Sequence, residues 1–223
     1  MITENTNNQI KKYKYRIWFS RWGQAKYLSQ HDTALILEQA FRRANFSVGL
    51  CGQFNPRMKI SFYSALPIGI ASKGEPIDVT LTNEMPCDKF LQQLNEQLPS
   101  ETAIVKVERF TGKEKYWLEI LSKVTMNHID LNIDIKDLLS QQNLLVYRKR
   151  LQKEVDIQPF LKNIEIDNTS SQFTTLYITT LLTFKGSTSV WEILELLHIN
   201  VDELSHLEIT REKITLLPPI ETK

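Results

Sequence analysis

The fold is decided by residues 13–45, which read YKYRIWFSRWGQAKYLSQHDTALILEQAFRRAN. Residues 13–20 alternate an aromatic or aliphatic side chain with a polar or charged one, which is the period of a half-buried β-strand. Ser29 and Asp32 have the spacing of a capping box, so a helix is predicted to follow and to end near residue 45. Apolar residues then recur every three or four positions, as an amphipathic helix requires. The stretch therefore predicts a strand with a helix packed against it.

The same kind of pattern continues to residue 111. It predicts strands at 59–66, 77–82 and 103–110, and a helix at 86–98. The order is β-α-β-β-α-β, which is the ferredoxin-like arrangement. We expect Leu37, Phe41, Phe90, Leu94 and Trp191 to be buried.

The rest of the chain repeats this order in a degraded form. Residues 111–115 read TGKEK, which is typical of a linker. Strands are predicted at 116–124, 157–166, 173–184 and 207–217, and helices at 135–141 and 188–198. We therefore predict an α+β protein of two tandem ferredoxin-like domains with antiparallel sheets. The N-terminal domain (residues 11–111) is basic, and the C-terminal domain (residues 112–223) is acidic and is the degraded copy.

Composition excludes several classes of enzyme. Of 223 residues, only Cys51 and Cys87 are cysteines, too few for a disulfide framework or a four-cysteine zinc site. The histidines lack metal-ligand spacing, and the chain contains neither GxxxxGK[ST] nor GxGxxG. We expect no metal and no cofactor.

The sequence also indicates a compartment. Residues 1–10 are polar and lack the apolar core of a signal peptide. No apolar run approaches the ~20 residues that a membrane helix needs. We expect a cytoplasmic protein without a membrane partner, and the oligomeric state is left open.

Charge is distributed unevenly along the chain. The net charge is +1, but residues 11–59 hold ten lysines and arginines against two acids, whereas residues 60–223 sum to −6. Such polarity can steer a polyanion to the basic end. The alternative is that the cations are spread over a solvated surface.

The basic segment contains our candidate RNA-binding residues. Guanidinium forks bind phosphate bidentately, and an aromatic ring in a basic loop offers a platform for base stacking. The predicted set is Arg21, Lys26, Arg42, Arg43, Phe54, Arg57 and Lys59.

Two other functions remain open. In a metal-independent endoribonuclease, His31 would deprotonate a 2′-hydroxyl group and Lys26 would stabilise the phosphorane. In a protein-binding scaffold, the acidic residues between 190 and 212 would contact a partner without RNA.

A block between positions 15 and 70 carries a family resemblance. The matching positions are Phe19, Ser20, Gly23, Tyr27, Leu28, Ser29, Asp32, Glu38, Ala40, Arg42, Arg43, Ala44, Phe54, Asn55, Pro56, Lys59, Ile60, Ser61, Phe62, Ala65, Leu66 and Pro67. In this pattern the chain resembles the radical SAM-linked proteins, an uncharacterised bacterial family. It departs from the pattern at His31, which is displaced by one position, and at Arg57, where the family has histidine.

The resemblance implies a partner. Such proteins are fused to, or encoded beside, a radical SAM enzyme, so we expect that enzyme as the partner. The chain lacks a C-x3-C-x2-C motif and is therefore not the enzyme itself. The leading hypothesis is a non-catalytic RNA-binding adaptor that works with a radical SAM enzyme.

Overall fold

The structure is a computed structural model that describes residues 11–52, 54, 56–111, 116–129, 131 and 134–218. Within these residues the chain forms a mixed α+β fold, with one large, mostly antiparallel sheet and four α-helices. The predicted linker at 111–115 lies outside the described residues except for Thr111. We call residues 11–111 the N-terminal half and residues 116–218 the C-terminal half.

Regular elements follow one another closely in both halves. The N-terminal half contains β1 (Tyr13–Arg21), α1 (Gln30–Arg43), β2 (Leu50–Cys51), β3 (Arg57–Met58), β4 (Ile60–Phe62), β5 (Ala71–Leu81), α2 (Cys87–Asn95) and β6 (Thr102–Arg109). The C-terminal half contains β7 (Trp117–Asn127), α3 (Ile135–Ser140), β8 (Leu145–Arg148), β9 (Lys153–Asp156), β10 (Leu161–Asp167), β11 (Phe173–Thr183), β12 (Gly186–Ser187), α4 (Val190–Leu196) and β13 (Leu207–Leu217). Short 3-10 helices span Gly23–Tyr27, Gln158–Phe160 and Val201–Glu203.

The main sheet runs through both halves. Its strand order is β10-β11-β7-β13-β5-β1-β6, with β4 added beside β5 and β12 beside β11. All of these pairs are antiparallel except β13 with β5, which is parallel. The strand pairs β2–β3 and β8–β9 form separate hairpins.

Local sequence explains the first two elements. Tyr15, Ile17 and Phe19 alternate along β1 and are all buried in one core, as the period of two predicts. The Ser29 hydroxyl accepts from the backbone N–H of Asp32, and the Asp32 carboxylate accepts from the backbone N–H of Ser29. This capping box satisfies two of the backbone N–H groups that a helix start leaves unpaired. The predicted start of α1 is confirmed.

Each half has its own hydrophobic core. In the N-terminal half, Leu37, Phe41, Phe90 and Leu94 are 0% exposed, as predicted. In the C-terminal half, residues of α4 pack on β7 and β11, and Leu66 and Ile70 of the N-terminal half join that core. The prediction for Trp191 is wrong, because its side chain lies on the outer side of α4 and is 38% exposed.

A buried ion pair joins the halves at the parallel strand pair. Arg211 of β13 donates from Nη1 to the Glu75 carboxylate of β5 at 3.0 Å, and the two side chains are 11% and 7% exposed. Arg211 also donates to the Ser64 hydroxyl and to the carbonyl of Ala65. We call the contacts of Glu75, Arg211 and Ser64 the ionic seam.

Phe41 and Phe54 provide a matched pair of substitutions. Phe41→Ala should lower the free energy of unfolding by about 3–5 kcal/mol, because it leaves a cavity in a closed core. Phe54→Ala removes the same group from a fully exposed position and should change stability by less than about 0.5 kcal/mol. Urea denaturation followed by circular dichroism measures both. A similar loss in both variants would contradict the described core.

The seam offers a second matched pair on the same two strands. Glu75→Gln removes the carboxylate that faces a buried guanidinium and should destabilise the protein by about 3–5 kcal/mol. Lys73 of β5 pairs with Glu212 of β13 near the surface, and Lys73→Gln should cost no more than about 1 kcal/mol. Chemical denaturation of both variants tests this, and equal effects would contradict the importance of burial at the seam.

Candidate nucleic-acid interface

The β2–β3 hairpin and β4 position two of the predicted basic residues. Met58, Ile60 and Phe62 pack against the N-terminal core. Because side chains alternate along an extended chain, Arg57 and Lys59, which flank Met58, face solvent, and both are exposed. Within the described residues, neither forms an ion pair with a carboxylate.

Backbone hydrogen bonds hold this hairpin against the end of β5. The N–H of Gly49 donates to the carbonyl of Thr80 at 2.7 Å, and the N–H of Lys59 donates to the carbonyl of Gly49 at 2.7 Å. Val48 forms a bridge with Leu81. A Cβ added to Gly49 would lie 3.3 Å from the Thr80 carbonyl oxygen, so glycine permits the close approach. The base of the hairpin is therefore fixed.

Phe54 lies in the loop that closes this hairpin. Its side chain is 96% exposed, which excludes a place in the core. Single exposed apolar side chains are common on protein surfaces, so the exposure of Phe54 shows that its ring is accessible to a ligand. Phe54 thus supplies the free aromatic face that base stacking requires.

The strand register adds cations that the sequence prediction missed. Lys14 of β1 lies opposite Thr80 of β5, and the carbonyl of Lys59 accepts from the N–H of Thr80 on the other side. The backbones of the two lysines therefore lie on either side of Thr80, two strand spacings or ~10 Å apart. The start of β1 and the end of β6 reach the same edge, since Tyr13 pairs with Leu81 and Tyr15 pairs with Arg109. We call the lysines and the arginine at this edge, Lys11, Lys12, Lys14, Arg57 and Lys59, the basic edge. Arg109 is left out because its guanidinium pairs with the Glu84 carboxylate.

Arg42 and Arg43 end α1, and both are exposed. Arg42 forms an i,i+4 ion pair with Glu38 at 3.7 Å, which holds it weakly. Arg43 donates from Nη2 to the carbonyl of Gln97 at 2.6 Å. Arg43 thus has a structural partner just beyond α2, whereas Arg57 and Lys59 remain available to a ligand.

Arg21 requires a correction. Its side chain is 1% exposed and donates to the carbonyls of Leu28, Leu66 and Pro67 and to the hydroxyl of Thr33, at 2.9–3.0 Å. Burial lowers the pKa of this guanidinium, and the negative charge of Glu75 partly opposes that shift. Arg21 ties the segment before α1, α1 itself and the loop between β4 and β5 together, and it cannot reach RNA at the surface.

Lys26 and His31 lie away from the hairpin. About twelve residues of α1 separate His31 from Arg43, or about 18 Å along the helix axis. The Lys26 ammonium lies 5.2 Å from the centre of the Tyr27 ring, and His31 is exposed in the first helical turn. The neighbouring Asp32 carboxylate accepts from the Ser29 hydroxyl, which lowers its pKa. The predicted residues therefore do not form one site.

Comparison with known families gives one clear match. An "uncharacterized protein conserved in bacteria" (DUF2344) family matches residues 14–191. The chain belongs to this family. The match spans α1, the hairpin and the basic edge, except for Lys11 and Lys12. A search of curated proteins finds no match.

Two solved structures cover most of the chain at low similarity. The acetolactate synthase small subunit from Thermotoga maritima is 12% identical, with a TM-score of 0.27, over 96% of this chain and 100% of its own. An unknown protein from Galdieria sulphuraria is 10% identical, with a TM-score of 0.27, over 94% of this chain and 100% of its own.

Two further surveys concern the described part of the chain. None of its helices is long and apolar enough to cross a membrane. It also contains no group of three or more histidine, cysteine, aspartate or glutamate side chains arranged to hold a metal ion.

Proposed function

We propose that this protein is a non-catalytic RNA-binding adaptor that binds single-stranded RNA along the basic edge. The observation that carries the proposal is Phe54, which is 96% exposed in a loop followed by the two exposed cations Arg57 and Lys59. A free ring beside unpaired cations is the combination that binds single strands with little regard to sequence.

Electrostatics and stacking have separate roles at such a surface. Each phosphate neutralised by a lysine or arginine releases a condensed counterion, so affinity falls as salt rises. A base stacked on an aromatic ring adds about 1–3 kcal/mol that depends little on salt. Arg57 and Lys59 would supply the first contribution and Phe54 the second.

The non-catalytic assignment follows from the side chains at the edge. The basic edge is defined by lysines and an arginine beside Phe54 and includes neither a histidine nor a carboxylate, which are the most common general acid–base groups. His31 lies toward the other end of α1, about 18 Å from Arg43. The endoribonuclease hypothesis therefore receives no support from the geometry.

We also infer a fold assignment for the two halves. The strand orders β6-β1-β5-β4 and β13-β7-β11-β10 each correspond to 4-1-3-2, in which the first strand lies at the centre between the fourth and the third. This correspondence supports two tandem ferredoxin-like units, with boundaries at 11–111 and 112–223. The radical SAM partner is proposed from the sequence resemblance.

Removing the two free cations should weaken RNA binding and its dependence on salt. In Arg57→Gln/Lys59→Gln the slope of log affinity against log salt should flatten by about 1.4, since each contact with a single strand contributes about 0.7. Fluorescence anisotropy with a labelled single-stranded RNA measures this slope. Lys136→Gln/Lys185→Gln removes two exposed charges from the C-terminal half and should leave the slope unchanged.

Two results would contradict the proposal. Unchanged affinity in a folded Arg57→Gln/Lys59→Gln variant would exclude this edge as the site. No RNA binding by the unmutated protein at low salt would exclude the function and favour the protein scaffold.

Substitution of Phe54 separates stacking from charge. Phe54→Ala should weaken RNA binding by about 1–3 kcal/mol while leaving the salt slope unchanged, because no phosphate contact is lost. Phe54→Tyr keeps the ring and should retain most of the affinity. The melting temperature serves as the control, and Phe54→Ala binding RNA like the unmutated protein would exclude stacking on this ring.

A further inference from the structure

A large cleft opens in the C-terminal half, whereas the basic edge belongs to the N-terminal half. Its outer part has a volume of about 1220 Å³ and lies between the β8–β9 hairpin and α4. An inner pocket of about 400 Å³ lies between α4, β7 and the loop that joins β4 to β5. Arg148, Trp191 and Glu192 line both parts, so the two parts adjoin at these side chains, and each is of ligand-binding size.

The inner pocket is lined with hydrogen-bond donors. Arg148 uses Nε and Nη2 to bind the Glu192 carboxylate and the carbonyl of Ser187, and Arg211 uses both Nη atoms within the ionic seam. The Nη1 group of Arg148 and the Nε group of Arg211 form no hydrogen bond within the described residues. The same holds for the hydroxyls of Ser122 and Thr180, which also line the pocket.

These donors suit an anion. Hydroxyls and partly used guanidinium groups can together surround the oxygens of a phosphate, which accepts several hydrogen bonds at once. The charges of both arginines are balanced, since Glu192 pairs with Arg148 and Glu75 pairs with Arg211, so an anion would be held by hydrogen bonds from the remaining donors. The Glu192 carboxylate accepts from Arg148, Thr188 and the N–H of Ser189. Burial alone would raise the pKa of Glu192, but these hydrogen bonds lower it overall.

An exposed tryptophan marks the junction between the two parts. Trp191 is 38% exposed although the helical pattern of α4 predicts burial, and Tyr147 on the hairpin wall is 56% exposed. Both rings line the outer cleft. Large aromatic rings on the wall of a cleft are suited to binding a flat ligand ring.

On the side formed by α4 and the 3-10 helix that follows it, the outer cleft offers hydrogen-bond acceptors, whereas the inner pocket offers donors. Glu195 and Asp202 line that side and would accept hydrogen bonds from the hydroxyl and amino groups of a ligand. Lys149 and Arg150 line the hairpin side and attract anions to the entrance. A matching ligand has an anion at one end, and a flat ring with hydrogen-bond donors at the other.

We propose that this cleft binds a nucleoside monophosphate, with its phosphate in the inner pocket and its base against Trp191. The ribose and the exocyclic amino groups of the base face Glu195 and Asp202. The ligand is either a free nucleotide or the 5′-phosphorylated terminal nucleotide of an RNA. This site is distinct from the basic edge, so it goes beyond the RNA-binding function proposed above.

Isothermal titration calorimetry with adenosine 5′-monophosphate tests the site. The unmutated protein should bind it with a dissociation constant below about 1 mM, and adenosine should bind at least roughly tenfold more weakly because it lacks the phosphate. Trp191→Leu should weaken binding by roughly tenfold. Trp22→Leu removes a comparably exposed tryptophan of the N-terminal half, 44% against 38% for Trp191, and should have no effect. Thr180→Val keeps the side-chain shape but removes a hydroxyl, and should also weaken binding.

A second arm distinguishes the two sources of the ligand. If a 5′-phosphorylated dinucleotide binds more tightly than the free nucleotide, and Trp191→Leu weakens it, the ligand is an RNA end. If the free nucleotide binds at least as tightly, the ligand is the free nucleotide. Absence of heat with both ligands at about 1 mM, or equal binding by Trp191→Leu and the unmutated protein, would overturn the proposal. Arg57→Gln/Lys59→Gln should bind the nucleotide normally, so failure at one site is distinguishable from failure at the other.

Discussion

The buried ion pair between Glu75 and Arg211 joins the two halves into one sheet. The parallel pairing of β5 with β13 involves Ala71 and Ser72 on one strand and Thr210 and Arg211 on the other. Such a short ladder contributes few backbone hydrogen bonds. A carboxylate and a guanidinium buried beside it offset each other's cost of leaving water, and removing either partner would leave a buried charge unpaired. Their contact therefore fixes where one half lies against the other.

This junction determines the position of both proposed sites. The N-terminal end of β5 forms the seam, whereas its C-terminal end pairs with β4 and supports the hairpin that carries Arg57 and Phe54. In the C-terminal half, Arg211 donates from Nη1 to Glu75 in the ionic seam and also lines the inner pocket. Strand β5 thus supports the basic edge, and Arg211, which pairs with Glu75 of β5, contributes to the cleft.

Local signals in the sequence were sufficient to predict most helices and strands, but not to predict which residue each charged side chain pairs with. The capping box at Ser29 and the apolar spacing of α1 depend on neighbouring residues, so they could be predicted. Counting cations treats every arginine as free. In the structure Arg16 pairs with Asp78, which is 62 residues away, and Arg21 lies near Glu75. Contacts between distant strands cannot be read from residue spacing, so the predicted site included a buried arginine.

The same limit explains the errors in β5 and α4. Strand β5 begins at Ala71, whereas the sequence predicted a start at residue 77. The prediction missed its first residues because Gly74 and Pro76 interrupt the pattern that a strand usually shows. Trp191 has helical spacing with buried residues, but it borders the cleft made by the β8–β9 hairpin. The pattern of α4 alone does not show that cleft.

Ultraviolet crosslinking followed by mass spectrometry of the protein–RNA adducts tests the central claim most directly. The protein is purified with its bound RNA, and the crosslinked peptides and the RNA are both sequenced. If the basic edge binds RNA, crosslinks should concentrate in the peptide that contains Phe54, Arg57 and Lys59, and they should be lost in Phe54→Ala/Arg57→Gln/Lys59→Gln. Crosslinks confined to other surfaces, or a protein that carries no RNA, would contradict this claim.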